Sequence, residues 1–399
     1  MSFVVGGVSA RAAIAPRDRA ELATAIGDLY AAGQAFAVIG GGTERELGNP
    51  PSALDTVVQT TALNRVLEYA PEDQTITVEA GITLGALDRV LAEHRQMLPV
   101  DVGDRERATI GGMLATNAFG PRRAKYGSLR DMILGVELVR PDGTRVRGGG
   151  KVVKNVAGFD LPKLVVGSLG TLGAIAGVTL RVYPEPPVTR AIVARDLRQN
   201  VEQGDALAAA LLAERLEPIA LAWHRGLDGD PAYAFFAGSA DVVEAQVQRA
   251  LALAREIAGS VAIVDEAELA AFWEYERDVR RRGAWRARTY TAPSLVNLAR
   301  ETAVHGWSGA QLAACYPSLG VFLASGVDDG SSLDDVTAMV RITRLEALGE
   351  TIFHTMPARW RGYVDAWGDP PPAFPIMRAL KTAFDPKGLC NPGRFVGGL

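Results

Sequence analysis

Cysteine is almost missing from this sequence. Its 399 residues hold two, Cys315 and Cys390, too few for a disulfide framework and not in a CxxC pair, so a reducing compartment is the expected home. Two thiols also fall short of the roughly four that an iron–sulfur cluster takes from one chain. Histidine is equally sparse. His94, His224, His305 and His354 are scattered without paired ligand spacing, and no metal site is expected. Positive charge is not in surplus either: the formal net charge of −4 removes long-range attraction for nucleic acid or an anionic bilayer. The opening Met-Ser-Phe-Val-Val-Gly-Gly has neither the basic stretch nor the apolar run of a secretory signal, which points to the cytoplasm. Leu164 to Leu180 is an uncharged run, flanked by Lys163 and Arg181, to consider as a span. Gly167, Gly170, Gly173, Gly177, Ser168, Thr171 and Thr179 make it too short and too polar for the ~20 apolar residues required.

What is present is an ordinary globular composition, with 48% apolar and 22% charged residues. At roughly 150 residues per domain, the length suggests two or three folded units. Asp18 to Gly33 reads as a helix, with Leu22, Ile26 and Leu29 on one face and Gly33 at its stop. Ala35 to Ile39 then reads as a buried strand running into Gly40-Gly41-Gly42-Thr43. Asn64 to Tyr69 and Gln74 to Glu79 alternate like strands, and Thr83 can cap a helix carrying Leu84, Leu87 and Leu91. Met132 to Arg140 and Thr144 to Arg147 form a hairpin around Pro141-Asp142-Gly143. Ala174 to Tyr183 is a further strand, ended by Pro184, Pro186 and Pro187. A first domain over 1–186 follows from that proline group.

Beyond it, strands at Pro218 to His224 and Ala232 to Phe236 alternate with helices at Asp241 to Ile257 and Asp334 to Leu348, giving a second, α+β domain over 187–370. The remainder, 371–399, begins with a helix from Phe374 to Phe384. It ends in proline and glycine turns interleaved with Phe384, Leu389 and Phe395, as expected of a segment docked on the first domain. No internal sequence repeat is evident.

Three glycine clusters stand out. Gly40-Gly41-Gly42-Thr43 follows a strand and offers backbone N–H groups unobstructed by Cβ, as close approach to a pyrophosphate requires; a plain strand-to-loop turn is the alternative. Its contiguous glycines are neither GxGxxG nor a Walker loop. The one Gly-Lys pair preceded by glycines, Gly150-Lys151, is followed by Val152 and has Arg145 where the first Walker glycine belongs, so nucleoside triphosphate chemistry is not expected. Thr109 to Gly120 combines small residues with Thr116 and Asn117, suited to backbone lying along a flat cofactor and touching its edge, or to a tightly packed helix start. Gly167-Ser-Leu-Gly-Thr-Leu-Gly173 is the third.

In order and spelling, IGGGTERELG (Ile39 to Gly48), TIGGMLATNAFGPRRAKYGSLRD (ending at Asp131), KVVKNVAGFDLPKLVVGSLGTLG (ending at Gly173) and FDPKGLCNPGR (ending at Arg394) resemble flavoproteins with the vanillyl-alcohol-oxidase, or PCMH-type, FAD domain. Within that superfamily the sequence is most similar to the FAD-binding (E) subunits of glycolate oxidase. The resemblance covers Pro16 to Pro187 and the tail; the middle matches only in position and size. It implies an α+β fold: a PCMH-type two-subdomain FAD-binding domain, a second ferredoxin-like α+β substrate or cap domain, and a tail returning to the first. It implies that Gly40, Gly41, Gly42 and Thr43 cradle the pyrophosphate, that Gly111, Gly112, Asn117 and Gly120 lie near pyrophosphate and isoalloxazine, that Gly173 and Ile175 meet the adenosine half, and that Asn391 approaches the flavin ring. Some covalent relatives carry His after the glycines of the first loop; Thr43 stands here, so noncovalent FAD is expected.

Two departures bear on chemistry. Relatives that oxidise 2-hydroxy acids alone commonly have Glu in the third loop and a GDGNxH motif in the substrate domain; here Leu169 occupies the first position and the motif is absent. No general base is assigned. The expected activity is oxidation of a small 2-hydroxy acid, glycolate or D-lactate, with Arg286, Arg288, Arg378 and Arg394 as candidate charges for substrate carboxylate and reduced flavin. The resemblance implies partners, a second FAD subunit and an iron–sulfur subunit, and through them peripheral attachment to the inner face of the membrane. A noncatalytic or electron-relay flavin subunit and a stand-alone FAD-dependent alcohol or 2-hydroxy-acid oxidase are the rival readings.

Overall fold

The computed structural model describes residues 3–150, 159–195, 201–225, 230–293, 309–346 and 349–399. The front of the third glycine motif (151–158), His305 and the expected helix end at 347–348 lie outside them. The chain divides into two compact units, one of Met1–Ala118, Ser128–Glu185 and Asp365–Leu399, the other of Phe119–Gly127 and Pro186–Val364. The short Phe119–Gly127 segment groups with the second unit because buried Phe119 packs with Val193, Ala220 and Tyr316, a long-range preference that local spacing does not reveal.

Two sheets form the body of the first unit, beside two short two-stranded pairs. Ala12–Ile14, Thr56–Gln59 and Phe36–Ile39 form a parallel sheet with Thr56–Gln59 in the middle. The helix Arg19–Ala31 connects its outer strands in sequence. Asp18 starts that helix by accepting from the N–H groups of Ala20 and Glu21 at 2.9 and 2.8 Å, and these bonds lower its carboxyl pKa, that to Glu21 most. The second sheet is antiparallel, in the order Arg145–Gly149, Ile133–Val139, Ala174–Arg181, Thr75–Glu79, Val66–Ala70. Its first hairpin turns at Gly143, where φ is 82°, a value that glycine adopts without Cβ strain. Leu22, Ile26 and Tyr30 of the helix share one buried cluster with Phe36 and Val58 of the parallel sheet and Val139, Ala174 and Ala176 of the antiparallel one. The helix therefore packs the two sheets together.

Charge secures the same junction. Arg19, the first residue of the helix, reaches Glu137 at 2.8 Å and Glu79 at 3.6 Å. Glu79 also takes both Nε and Nη2 of Arg65, at 3.1 and 2.8 Å, and Glu137 takes Arg145 and Arg147. Burial alone would raise both carboxyls, but the arginines outweigh it and hold them below the ordinary range.

The second unit is built on an antiparallel sheet ordered Ser260–Ile263, Val188–Arg195, Ala232–Gly238, Ala220–Arg225, Ala310–Tyr316, Val321–Gly326, Trp285–Tyr290, Thr351–Thr355. Its first half, with helices Val201–Ala213 and Ala240–Ile257, runs β-α-β-β-α-β, the ferredoxin-like succession. The second half places its strands in the mirrored order, with helix Leu333–Glu346 before the last strand. Trp223 opposite Cys315 joins the halves. The topology thus repeats where the amino-acid sequence does not. Among the described residues, no helix is long and apolar enough to cross a membrane.

At the centre of this unit His224, 0% exposed, lies between the rings of Phe272 and Tyr275, with centroids 4.7 and 4.2 Å away. Its Nε2 meets Glu276 at 2.7 Å, and Glu276 also takes the guanidinium of Arg280 and the hydroxyl of Tyr316. Desolvation would raise the Glu276 carboxyl, but Arg280, His224 and Tyr316 bring it down to about 2. A carboxylate depressed from about 4.5 stabilises the fold above its unfolded pKa and loses that contribution as pH falls toward 2. Glu276→Gln is therefore expected to cost about 3 kcal/mol at neutral pH, with the gap to the parent closing between pH 4.5 and 2. Urea unfolding followed by tryptophan fluorescence across that range tests it; a gap independent of pH would contradict it.

Candidate functional site

The strand Phe36–Ile39 ends in Gly40-Gly41-Gly42, and the adjoining chain lies against the bare backbone there. A Cβ on Gly41 would stand 1.6 Å from the carbonyl oxygen of Arg107, and one on Gly40 would stand 1.9 Å from Thr109 Oγ1. Only glycine admits this approach. Arg107 Nη2 donates to the Gly41 carbonyl at 3.1 Å, and Thr109 Oγ1 accepts from Gly112 N at 3.3 Å as the N-cap of the helix Ile110–Ala115. The second glycine cluster is thus a short, tightly packed helix whose Gly111 N–H donates to Ala80 at 2.7 Å. Thr43 is half-buried at the end of the first loop.

The helix Ile110–Ala115 closes at Thr116, whose Oγ1 donates to Gly112 O at 2.8 Å, and the chain then turns at Asn117 with φ 49°. The third loop is stitched to it: Gly167 N donates to Leu114 O and Leu169 N to Ala115 O, both at 2.8 Å. The tail meets the same loop from the other side, where the Asn391 carboxamide N–H donates to Leu169 O and Cys390 Sγ to Gly170 O. The side-chain oxygens of Asn117 and Asn391 are both buried and have no hydrogen-bond partner. Such orphaned acceptors are uncommon in a folded interior.

Gly173, φ 142°, and Ile175, 6% exposed, sit where the loop enters the strand Ala174–Arg181. Gly120 is buried in the second unit, accepting from Arg123 N at 3.1 Å. The first unit therefore gathers Gly40, Gly41, Gly42, Thr43, Gly111, Gly112, Thr116, Asn117, Gly173, Ile175 and Asn391, while Gly120 belongs to the other unit. Thr109 and Arg107 complete the cradle and were not among the residues singled out; the Thr before a small-residue helix was the available signal.

The four arginines are divided between the units. Arg394, buried, donates Nη2 to the carbonyls of Arg45 and Leu47; Arg378 is exposed on the helix Phe374–Phe384. Arg286 is bound to Thr355 Oγ1 at 2.8 Å and to the Arg280 carbonyl. Arg288, 6% exposed, lies over the rings of Phe119 and Tyr290 at 4.9 and 5.1 Å. Burial pushes the Cys390 thiol up to about 12, so it is no nucleophile at neutral pH.

Comparison with known proteins covers the first two loops and the tail. Residues 10–149 match the FAD binding domain, and residues 368–395 match the C-terminal domain of FAD linked oxidases. These two stretches are what the chain shares with FAD-binding proteins. Glycolate oxidase subunit GlcE of Escherichia coli (strain K12) is 41% identical over 122 residues, which is 30% of this chain and 35% of that protein. D-lactate dehydrogenase of Archaeoglobus fulgidus is 28% identical over 402 residues, covering 90% of this chain and 85% of the relative. The glycolate oxidase match thus spans about a third of that subunit, while the dehydrogenase match spans most of both chains. In fold, a structure of p-cresol methylhydroxylase with substrate bound covers 96% of this chain and 88% of its own, with a TM-score of 0.73 at 16% identity. FAD is accordingly the cofactor, and the mixed α/β fold is like that of p-cresol methylhydroxylase.

Because a methyl group at Gly41 would overlap the Arg107 carbonyl, Gly41→Ala must displace one of the two segments. It is expected to weaken FAD binding about tenfold or more, whereas Leu211→Ala, a truncation in the core of the second unit costing about 3 kcal/mol, leaves FAD affinity close to the parent's. Fluorescence titration of the apoproteins with FAD decides; equal affinities would remove Gly41 from the cofactor site.

Proposed function

We propose that this chain is the FAD-binding subunit of an oxidoreductase of the glycolate oxidase type, acting on a small 2-hydroxy acid, glycolate or D-lactate, and passing electrons to partner chains. The observation that carries the reading is the gathering in one unit of the segments whose spelling resembles the flavoprotein loops, around a bare glycine backbone and two buried, unpartnered carboxamide oxygens. These residues fit the cofactor. Gly40, Gly41, Gly42 and Thr43 would hold the pyrophosphate through backbone N–H groups. Gly111, Gly112, Thr116 and Asn117 would line pyrophosphate and flavin, Gly173 and Ile175 the adenosine half. Asn391 Oδ1 and Asn117 Oδ1, acceptors lacking a donor, suit N–H or O–H groups of the cofactor. Thr43, in place of a histidine, leaves attachment noncovalent. Bound FAD supplies a two-electron acceptor for oxidation at the carbon bearing the substrate hydroxyl.

Two of the four arginines already have work in the fold. Arg394 holds the loop carbonyls of Arg45 and Leu47, and Arg286 is bound to Thr355 and Arg280. Arg288, over the rings of Phe119 and Tyr290, and Arg378, exposed on its helix, are likewise candidates to bind a substrate carboxylate. With two cysteines the chain has no cluster of its own, so reoxidation is assigned to a second FAD subunit and an iron–sulfur subunit. A relay role without substrate chemistry is the second reading, favoured by Leu169, an apolar residue where self-sufficient relatives carry Glu.

Anaerobic addition of glycolate, D-lactate and D-2-hydroxyglutarate to the FAD-loaded chain alone separates the two. Loss of the oxidised-flavin band with glycolate or D-lactate is expected, slowed about tenfold or more by Arg288→Met through weaker carboxylate binding. An unchanged spectrum with FAD still bound would transfer the chemistry to a partner and leave this chain the relay.

A further inference from the structure

One buried cation has no part in that reading. Lys381 projects from the helix Phe374–Phe384 and is 8% exposed. Lysine is rarely buried unless paired, and here all three ammonium protons are used. Nζ donates to Asp385 Oδ2 at 2.7 Å, to the Cys390 carbonyl at 2.8 Å and to the Thr171 carbonyl at 2.9 Å. Asp385 in turn accepts from the N–H groups of Cys390 and Leu389, at 2.8 and 3.2 Å. The ammonium therefore sits at the centre of a closed turn in the tail and grips a loop more than two hundred positions earlier in the sequence.

The placement of its acceptors matters more than their number. Cys390 immediately precedes Asn391, and Thr171 lies two residues beyond Leu169, so the ammonium binds the backbone on both sides of the Asn391–Leu169 hydrogen bond. Both residues of that bond are in the left-handed region, with φ 51° for Asn391 and 50° for Leu169, a conformation that non-glycine residues keep only when their surroundings impose it. The Asn391 backbone is further tied to Phe36 O at 2.7 Å. With its amide N–H bonded to Leu169, the carboxamide has one direction left for its buried oxygen. Asp385 neutralises the ammonium without touching Asn391, which separates charge compensation from the aiming of the loop.

We propose that Lys381 is a positioning residue for FAD, which sets the orientation of the Asn391 carboxamide by binding the carbonyls that flank it. The proposal rests on the assignment of Asn391 to the cofactor site. A thermodynamic cycle distinguishes it from a role in stability alone. The full-length apoprotein, Lys381→Met, Asn391→Gly and the double variant are titrated with FAD, and their thermal midpoints are recorded without it. Glycine at 391 keeps the positive φ and removes only the carboxamide. Each single variant is expected to weaken FAD binding about tenfold, and the double variant to bind no more weakly than Asn391→Gly alone.

Parent-like affinity in Lys381→Met, or losses that multiply in the double variant, would overturn the proposal whatever the midpoints show. If Lys381→Met leaves Asp385 too costly to bury and the protein does not fold, Lys381→Met/Asp385→Asn removes both charges and takes its place in the cycle. Should Lys381→Met weaken binding while Asn391→Gly does not, the assignment of Asn391 fails and this proposal with it. Failure of the parent itself to bind FAD would instead strike the functional reading at its root.

Discussion

Two backbone hydrogen bonds bring the end of the chain to the place where its glycine cradle begins. Phe36 N donates to the Leu389 carbonyl at 2.9 Å, and Asn391 N donates to the Phe36 carbonyl at 2.7 Å. The strand Phe36–Ile39 is thereby occupied along both sides, by Thr56–Gln59 on one and by a single parallel bridge to Cys390 on the other. An edge strand left open is exposed to fraying and to foreign pairing; here the tail closes it next to the turn where the backbone must be held to a fraction of an ångström. Phe36 and Cys390, both 0% exposed, share the cluster formed by Leu22, Ile26 and Tyr30. The cradle therefore inherits its rigidity from the core rather than from the loop.

Buried charge recurs wherever distant segments must be registered. Arg19 links two strands of the antiparallel sheet through Glu79 and Glu137, Glu276 joins its helix to His224 and Tyr316 on two strands of the second unit, and Lys381 ties the tail to the third loop. Against an apolar replacement, such pairs add little net stability, because desolvation offsets most of the attraction. Their directionality is the useful property. A leucine in place of Lys381 could fill the space but could not choose among carbonyls, whereas three N–H donors meeting three fixed acceptors allow one arrangement.

Much of the first unit could be read directly from the residues. The helix after Asp18 announces itself by its cap, its apolar face and its glycine stop, and the hairpin around Gly143 by its turn chemistry; both are found within a few residues of the expected bounds. The close approach at the first glycine loop was legible for a related reason, since contiguous glycines after a strand leave the backbone without Cβ. Lys381 was not, because a lone lysine on an amphipathic helix normally faces water, and only Asp385 four residues on hinted otherwise. Trp285–Tyr290 was missed because Arg286 and Arg288 interrupt its apolar alternation, yet both are buried. Their long stems and polar heads find partners that lie across the sheet, not along the sequence.

The two units differ in legibility because they are held by different kinds of constraint. Where chain segments approach to within a Cβ of one another, as at Gly40 and Gly41, or adopt positive φ, as at Asn117 and Asn391, few residue types are admissible and the spelling is preserved. In the second unit the two halves of the sheet ask only for apolar volume on the buried faces, a demand that many sequences meet. That is why its doubled topology leaves no trace as a sequence repeat, and why resemblance to the flavoproteins is strong in the loops and tail but fades in the middle. Residues that select a substrate are under neither constraint. They are chosen by the shape and charge of one small molecule, so they vary between proteins that share everything else, and the cofactor is accordingly far easier to read from this chain than any substrate.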